Sequence, residues 1–318
     1  MRASVCILTF NGEKYLEEIL TSVFQQQTSF EFEVIIIDSG SSDRTLEIAK
    51  RFPVRIKRIA NHAFQHGRTR NLGIQLAKGE YVVFLVQDAT PATDSWLEEM
   101  IRPFEQDQNV VGVLGNQIPR PDAPPFIKRD IEGVFQSFTK GTDIVYQNVQ
   151  NMERANTSWG LMIFFSDVNA AVRKAYAIRN PYEEVPYAED QIMGKTIIEN
   201  GFTKAYNPNA AVLHSHTYPI NQYFFRLFDE SSGLKDVLKY TDPISFFGII
   251  PESIKGWRQD HSYIWQENRG LLSKIKWSWY ALIYNISRRL AAYLVKRSRF
   301  IPKPIRVRLS MEYYLKKR

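Results

Sequence analysis

The chain has 318 residues, 44% of them apolar and 24% charged, with a formal net charge of +7. That composition excludes a disordered or low-complexity chain, and the length allows one large α/β domain or a domain with an appendage. Its single cysteine, Cys6, excludes an internal disulfide and fits a reducing compartment; it stands in an apolar run, where a thiol packs as a small apolar group.

Residues 3–10 read as a first strand, with a turn at Asn11-Gly12 and a helical pattern to about residue 26 (Leu16, Ile19, Leu20, Val23). A second strand follows at 33–38; its unbroken β-branched run predicts burial on both faces. Ser42 or Asp43 is placed to cap a helix over 44–51, and a short strand covers 54–59. A helix is predicted over 67–78 with Gly79 as its C-cap, then a strand ending at Asp88, a helix over 94–105 and a strand at 110–114. Strands alternating with helices of this length predict βαβ units and a mostly parallel sheet with right-handed crossovers. The stretch 115–216 is less regular: a helix near 129–138, an apolar strand at 160–165, a helix from Glu189 to about residue 200 closed by Gly201, and a strand over 205–216.

From Tyr218 the pattern turns helical, with Trp257, Trp265, Trp277, Trp279 and several tyrosines interleaved with Lys274, Lys276, Arg288, Arg289, Lys296, Arg297 and Arg299. Residues 251–318 hold 16 Lys and Arg against 4 Asp and Glu, whereas the remainder holds 25 against 30. No signal peptide is visible, and no window reaches the roughly 18–20 apolar residues of a bilayer span. Two readings of this tail stand side by side: an anionic membrane surface that takes the basic and aromatic residues, or a helical subdomain whose aromatics form its core. No nucleic-acid recognition module accompanies the basic residues.

The loops after parallel strands converge on one sheet edge, where open α/β sheets bind ligands. Asp38, Arg70, Asn71 and Asp88 can meet there. Asp88 ends an apolar strand and suits a hard cation shared with a nucleotide diphosphate. Asp38 suits the imide N–H of a pyrimidine, or is a turn aspartate. Arg68 and Arg70, at a helix N-terminus, suit a diphosphate, or form a solvated helix face. His214 and His216, two apart, suit a metal or a diphosphate, or are structural. Glu189 and Asp190 open a helix after the segment 180–186; one of them can serve as general base, or both only cap the helix.

Together these residues carry a likeness. Thr9-Phe-Asn11, Ile37-Asp-Ser-Gly-Ser-Ser-Asp43, Thr69-Arg-Asn-Leu-Gly73, Phe84-Leu-Val-Gln-Asp88, Ala188-Glu-Asp190, Gly201-Phe and Pro208-Asn-Ala-Ala-Val-Leu-His214 resemble the family-2 glycosyltransferases of the GT-A fold, over about residues 3–216. Within that family the chain looks most like bacterial rhamnosyltransferases, through Gln-Asp-Ala at 87–89, His-Gly-Arg-Thr-Arg-Asn at 66–71 and His-Ser-His at 214–216. The resemblance implies a GT-A domain over 1–217, with a nucleotide-sugar half (1–115) and an acceptor half (116–217), and a helical region over 218–318. It implies Thr9, Asn11 and Asp38 on the nucleoside, with Arg68, Arg70, Asn71, Gln87 and Lys195 as further donor-binding residues. Mg²⁺ or Mn²⁺ would sit on Asp88 with His214 or His216, Asp190 would be the catalytic base, and Glu189 its neighbour. Val86 stands where the family's usual first metal-motif aspartate would be, so one protein ligand is lost. Gly194-Lys195 stands where many relatives carry a basic pair.

The implied reaction is inverting transfer of a sugar, rhamnose from dTDP-rhamnose or another hexose from a UDP-sugar, to a glycan or a polyprenyl-linked glycan. Its expected setting is cytoplasmic, peripheral on the inner membrane face. Two rivals make other demands. A sugar nucleotidyltransferase needs a glycine-rich basic loop after the first strand, and Asn11-Gly-Glu-Lys14 is sparse for that. A non-catalytic membrane-docking protein has no need of Asp38, Asp88 and Asp190 around a single cleft.

Overall fold

The computed structural model describes residues 1–150, 158–185, 187–311 and 313. Pro186 of the proline-containing segment, Glu312 and the last five residues of the basic tail therefore lie outside the described residues. Two compact units divide the chain: Met1–Arg120 with Ile131–Ser215, and Pro121–Asp130 with His216–Arg318.

The first unit is built on strands β1 (Ala3–Thr9), β2 (Phe32–Asp38), β3 (Arg55–Arg58) and β4 (Tyr81–Val86), all parallel to one another. β5 (Thr90–Pro91), β6 (Val110–Ile118), β7 (Val145–Gln147), β8 (Asn169–Arg173) and β9 (Thr203–Leu213) complete one sheet, ordered β3-β2-β1-β4-β8-β6-β9-β5 with β7 also on β9. β8 is antiparallel to both β4 and β6, so β6 and β9 run in the same direction as β4.

Side-chain alternation splits the core into two layers. Val5, Ile7, Val34, Ile36, Val83 and Leu85 face helices α1 (Leu16–Phe24) and α4 (Trp96–Gln106), while Cys6, Ile35, Ile37, Val82 and Phe84 face the other way. On that second face lie α3 (His66–Leu76), α7 (Lys174–Arg179) and α8 (Glu189–Glu199); α2 (Thr45–Ala49) and α6 (Trp159–Ile163) are short. The α1 positions read as periodic, Leu16, Ile19, Leu20 and Val23, are its buried ones. Cys6 is wholly buried, and burial pushes its thiol up to about 12, as packing requires and nucleophilic chemistry does not.

Three sequence expectations need correction. Residues 159–163 form α6 and not a strand: Ser158 caps it by accepting from the Leu161 N–H at 3.3 Å, and a short apolar run has no period to tell the two apart. Gly79 does not cap α3, which ends at Leu76 with Ala77 extended. It is glycine because a Cβ there would sit 2.5 Å from the Ala3 carbonyl carbon, so the requirement is close approach. The central strand β8, Asn169-Ala-Ala-Val-Arg173, is absent from the sequence reading because it lacks the β-branched run that marks β2.

The second unit has helices α9 (Tyr223–Leu238), α10 (Ile249–Gln266), α11 (Leu271–Lys296) and α12 (Lys303–Arg308), with the beginning of α5 (Pro125–Gln136). Its core is Phe126, Tyr223, Leu227, Phe228, Ile264, Ala281, Tyr284, Ala291 and Val295. α10 and α11 pack antiparallel, with Trp257 Nε1 donating to the Ser278 carbonyl at 2.9 Å and Ser253 Oγ to that of Asn285 at 3.3 Å. Polar groups are matched inside: Asp260 accepts from Arg129 and Asn285, and Asp130 from Tyr284 and Arg288. Among the described residues no helix is long and apolar enough to cross a membrane.

Candidate active site

The C-terminal ends of β1, β2, β4, β6 and β9 and the N-terminal end of the antiparallel β8 share one edge of the sheet. Asp38 ends β2, Gln87 and Asp88 follow β4, Gln117 lies in the last turn of β6, Asp167 precedes β8 and His214 follows β9. Topology alone thus gathers residues more than 170 positions apart.

The densest charge lies at the start of α8. Ala188, the residue before it, has a left-handed φ of +62°, a conformation that costs a side-chain-bearing residue of order 1 kcal/mol. Glu189 and Asp190 follow in the first turn of the helix, where Asp190 Oδ1 accepts from the Gln191 N–H at 2.8 Å while Glu189 is buried. Buried Arg70 places Nε 2.8 Å from Asp167 Oδ2 and pairs through Nη1 with Glu189 Oε1. Asp167 also accepts from Tyr182 Oη at 2.9 Å, and its backbone N–H points to Asp190 Oδ2 at 3.4 Å. Three carboxylates share one guanidinium in a poorly solvated space, so full ionisation is opposed by like charge. Burial first, then Asp167 and Glu189, push the Asp190 carboxyl up to about 7, with Arg70 pulling down. Burial pushes Asp167 up to about 6 against the same arginine. Burial alone would lower Arg70; Asp167 and then Glu189 outweigh it and hold the guanidinium charged. Asp190 is the member of the set that keeps part of its surface open to solvent.

The helix expected to grip a diphosphate instead holds the segment leading to these acids. Asn71 Nδ2 donates to the Tyr182 carbonyl and Asn71 Oδ1 accepts from the Tyr182 N–H, both at 2.9 Å. Arg68 pairs with Glu184, Gln65 Nε2 donates to the Val185 carbonyl, and a Cβ on Gly67 would stand 2.1 Å from the Glu183 oxygen. In this structure Arg70 and Asn71 bond the 182–189 segment, and Arg68 pairs with Glu184 at the surface. Lys195 pairs along its own helix with Glu199 at 3.6 Å.

A second cluster surrounds Asp88. His214 Nε2 is 3.7 Å from Asp88 Oδ1, and His214 Nδ1 is 3.1 Å from Gln117 Oε1. Gln117 is oriented by donating from Nε2 to Ser166 Oγ at 3.2 Å, so its oxygen faces the ring. Nδ1 then carries the proton, and Nε2 presents its lone pair on the Asp88 side. A carboxylate and an imidazole so arranged fit a divalent cation. The strand ends at Leu213, so β alternation does not fix the two histidines: His214 is buried, while His216 is exposed and begins the second unit. Arg120 steadies the loop, donating to the Asp88 carbonyl at 3.2 Å and to Thr90 Oγ1 at 2.8 Å.

Gln87 links two loops. It accepts from the Phe10 N–H at 2.7 Å and donates to the Phe10 carbonyl at 3.0 Å. Asp38 is fully buried and saturated: Oδ1 accepts from the Gly40 and Ser41 N–H groups, each at 3.1 Å, and Oδ2 from the hydroxyls of Thr9 and Ser41. Its four contacts tie the 38–41 turn together and to the end of β1 at Thr9. Asn11, at φ +50°, accepts from the Ser42 N–H at 2.9 Å and fastens the β1 loop to the same turn.

Sequence reasoning missed Asp167, Tyr182, Gln117 and Arg120. Asp167 had a signal: like Asp88, it is an acid one polar residue past an apolar run, 160–165. The other three had none, since a lone polar residue beside a strand end is ordinary.

A family model, glycosyl transferase family 2, matches residues 4–179. The O-antigen chain rhamnosyltransferase WbaN of Salmonella anatum is 35% identical over 209 residues, 65% of this chain and 64% of that one. RfbN of Salmonella typhimurium, also named an O-antigen chain rhamnosyltransferase, is 29% identical over 233 residues, 72% and 71% of the two chains. The matched stretch thus spans just under two thirds of the length of WbaN. Among solved structures, S. aureus TarS 1–349 in complex with UDP-GlcNAc aligns with a TM-score of 0.57 at 18% identity, over 97% of this chain and 78% of that one. The mannosyltransferase PcManGT of Pyrobaculum calidifontis, in complex with GDP-Man and Mn²⁺, aligns at 0.55 and 16% identity, over 99% and 84%. At such identities the structural likeness shows a shared fold.

Proposed function

The chain belongs to glycosyl transferase family 2, and from that premise we propose that it transfers a sugar with inversion from a nucleotide diphosphate to a hydroxyl of a glycan acceptor. Rhamnose from dTDP-rhamnose is the donor we favour, supported by the likeness to two O-antigen chain rhamnosyltransferases. The acceptor class that fits is a growing surface glycan carried on a polyprenyl diphosphate at the cytoplasmic face of the membrane.

The observation that carries the chemistry is Asp190, partly open to solvent at the edge of the Arg70–Asp167–Glu189 cluster, with its carboxyl pushed up to about 7 by burial first and then by Asp167 and Glu189. A base whose affinity for protons lies near working pH removes the hydroxyl proton most effectively. In a single displacement the carboxylate takes that proton, and the freed oxygen attacks the anomeric carbon. The bond to the diphosphate oxygen breaks on the opposite face and its electron pair leaves with the nucleotide. Glu189, Arg70 and Asp167 hold the base in position. Thr9, Asn11 and the 39–43 turn shaped by Asp38 supply the nucleoside platform, with Gln87 fixing it to the Asp88 loop. Asp88 and His214 would hold Mg²⁺ or Mn²⁺. When bound, such an ion neutralises charge on the leaving diphosphate.

A panel of nucleotide sugars tests the reading: saturation with the true donor, at about 100 Kd, adds roughly 2.7 kcal/mol of stability and raises Tm by several degrees. Stabilisation by UDP-sugars and not by dTDP-rhamnose would reassign the sugar; stabilisation by no nucleotide sugar would end the proposal.

Two further results are expected. kcat/KM should rise with pH through about 7 as Asp190 loses its proton. Asp167→Asn removes a like charge and releases Arg70 toward Asp190, so the rise should move to lower pH; an unmoved limb would show that the cluster does not set the base. Chelation should remove activity and Mn²⁺ restore it, and Gln117→Leu, which leaves His214 unoriented, should weaken Mn²⁺ binding about 10–100-fold by paramagnetic resonance. Unchanged Mn²⁺ affinity would detach His214 from the cation.

A further inference from the structure

Helix α11 is apolar on two opposite sides. One side, with Ala281, Tyr284, Ala291 and Val295, packs into the core of the second unit. At 100° per residue, the opposite side carries Leu272, Ile275, Trp279, Ile283, Ile286 and Leu290, a line about 27 Å long. Leu272 is 83% exposed and Trp279 61%. Just past Leu290, the Tyr293 ring stands 5.9 Å from that of Phe246, and the adjacent Phe247, 87% exposed, extends the same surface. The tail's aromatics thus divide: Trp257, Trp277, Tyr280 and Tyr284 serve the core, while Trp265 and Trp279 face outward. A contiguous apolar line of this length is an interaction surface, since scattered exposure does not align.

Charge identifies the occupant. The line runs through the most basic part of the chain, 16 Lys and Arg against 4 Asp and Glu from residue 251 onward. At the same 100° per residue Lys276 lies beside the line and Arg297 continues it, while Lys274 lies on the core side with the Trp265 ring at 5.6 Å. A second copy would bring like charge against like charge. The lysines and arginines within α11 forbid it to span a bilayer but suit a helix lying in the headgroup plane, with Trp at the boundary. We infer that the Leu272–Leu290 side of α11 docks flat on an anionic lipid bilayer. This goes beyond the transfer reaction and does not rest on it, so a catalytically dead chain should dock as the native one does.

Flotation of the full chain with phosphatidylethanolamine vesicles containing phosphatidylglycerol, against pure phosphatidylcholine, tests it. The native chain should partition to the anionic vesicles, and the triple variant Leu272→Ser, Trp279→Ser, Leu290→Ser should lose about tenfold or more of that partitioning at an unchanged Tm. Equal flotation of the folded variant, or none of the native chain, overturns the inference. So does a lipid-free dimer that the triple variant dissolves, because the line would then belong to a second copy. Should the triple variant fail to fold, Leu272→Cys serves: Cys6 is buried, so an environment-sensitive dye reports the new thiol alone. A blue shift on anionic vesicles supports docking, and no shift overturns it.

Discussion

Asp190→Asn should reduce kcat by about 10³-fold while the affinity for the donor nucleotide changes little. The substitution keeps the shape, and an amide cannot take the hydroxyl proton. It also removes one negative charge from a set of three around Arg70, so the folded chain should be as stable as the native one or more so. Stopped assays with saturating donor, paired with nucleotide binding by calorimetry, separate the two quantities. Near-normal turnover in the variant would sink the base assignment. Loss of nucleotide binding in step with turnover would move Asp190 into donor recognition.

Arg70→Met should destabilise the first unit by about 3–5 kcal/mol, the usual cost of stranding buried carboxylates without their cation. Loss on this scale corresponds to a fall in Tm of roughly 10 °C. Asp167, Glu189 and Asp190 would then repel one another with nothing between them, and adding Asp167→Asn and Glu189→Gln should recover much of the loss. A phosphate-binding arginine behaves otherwise: its removal weakens the donor complex and leaves the free chain intact. Thermal melts without ligand therefore decide between the two roles. An unchanged melting temperature would return Arg70 to the diphosphate.

The strands and helices of the first 110 residues were legible because each obeys a local period: β2 is an unbroken apolar run, and α1 buries its i, i+3, i+4, i+7 positions. The region after residue 115 was not, because its elements are held by tertiary contacts. β8 is strand only because β4 and β6 pair with it on both sides, and α6 is helix because Ser158 caps a run that would suit either state. The site was readable as a set of acids at strand and helix ends. What each charge faces was not, since Arg70 and Asp38 spend their hydrogen bonds inside the protein, and sequence shows a side chain's capacity but not its direction.

Gln87 has a consequence for how the two ends of the proposed donor site communicate. Its carboxamide both gives to and takes from the main chain of one residue, Phe10, something neither a carboxylate nor an ammonium can do. In the proposed donor site, the turn that would cradle the nucleoside is thereby tied to the loop that carries Asp88. An ill-fitting nucleoside would then misalign the departing group itself, so selectivity among donors should surface in turnover as well as in binding.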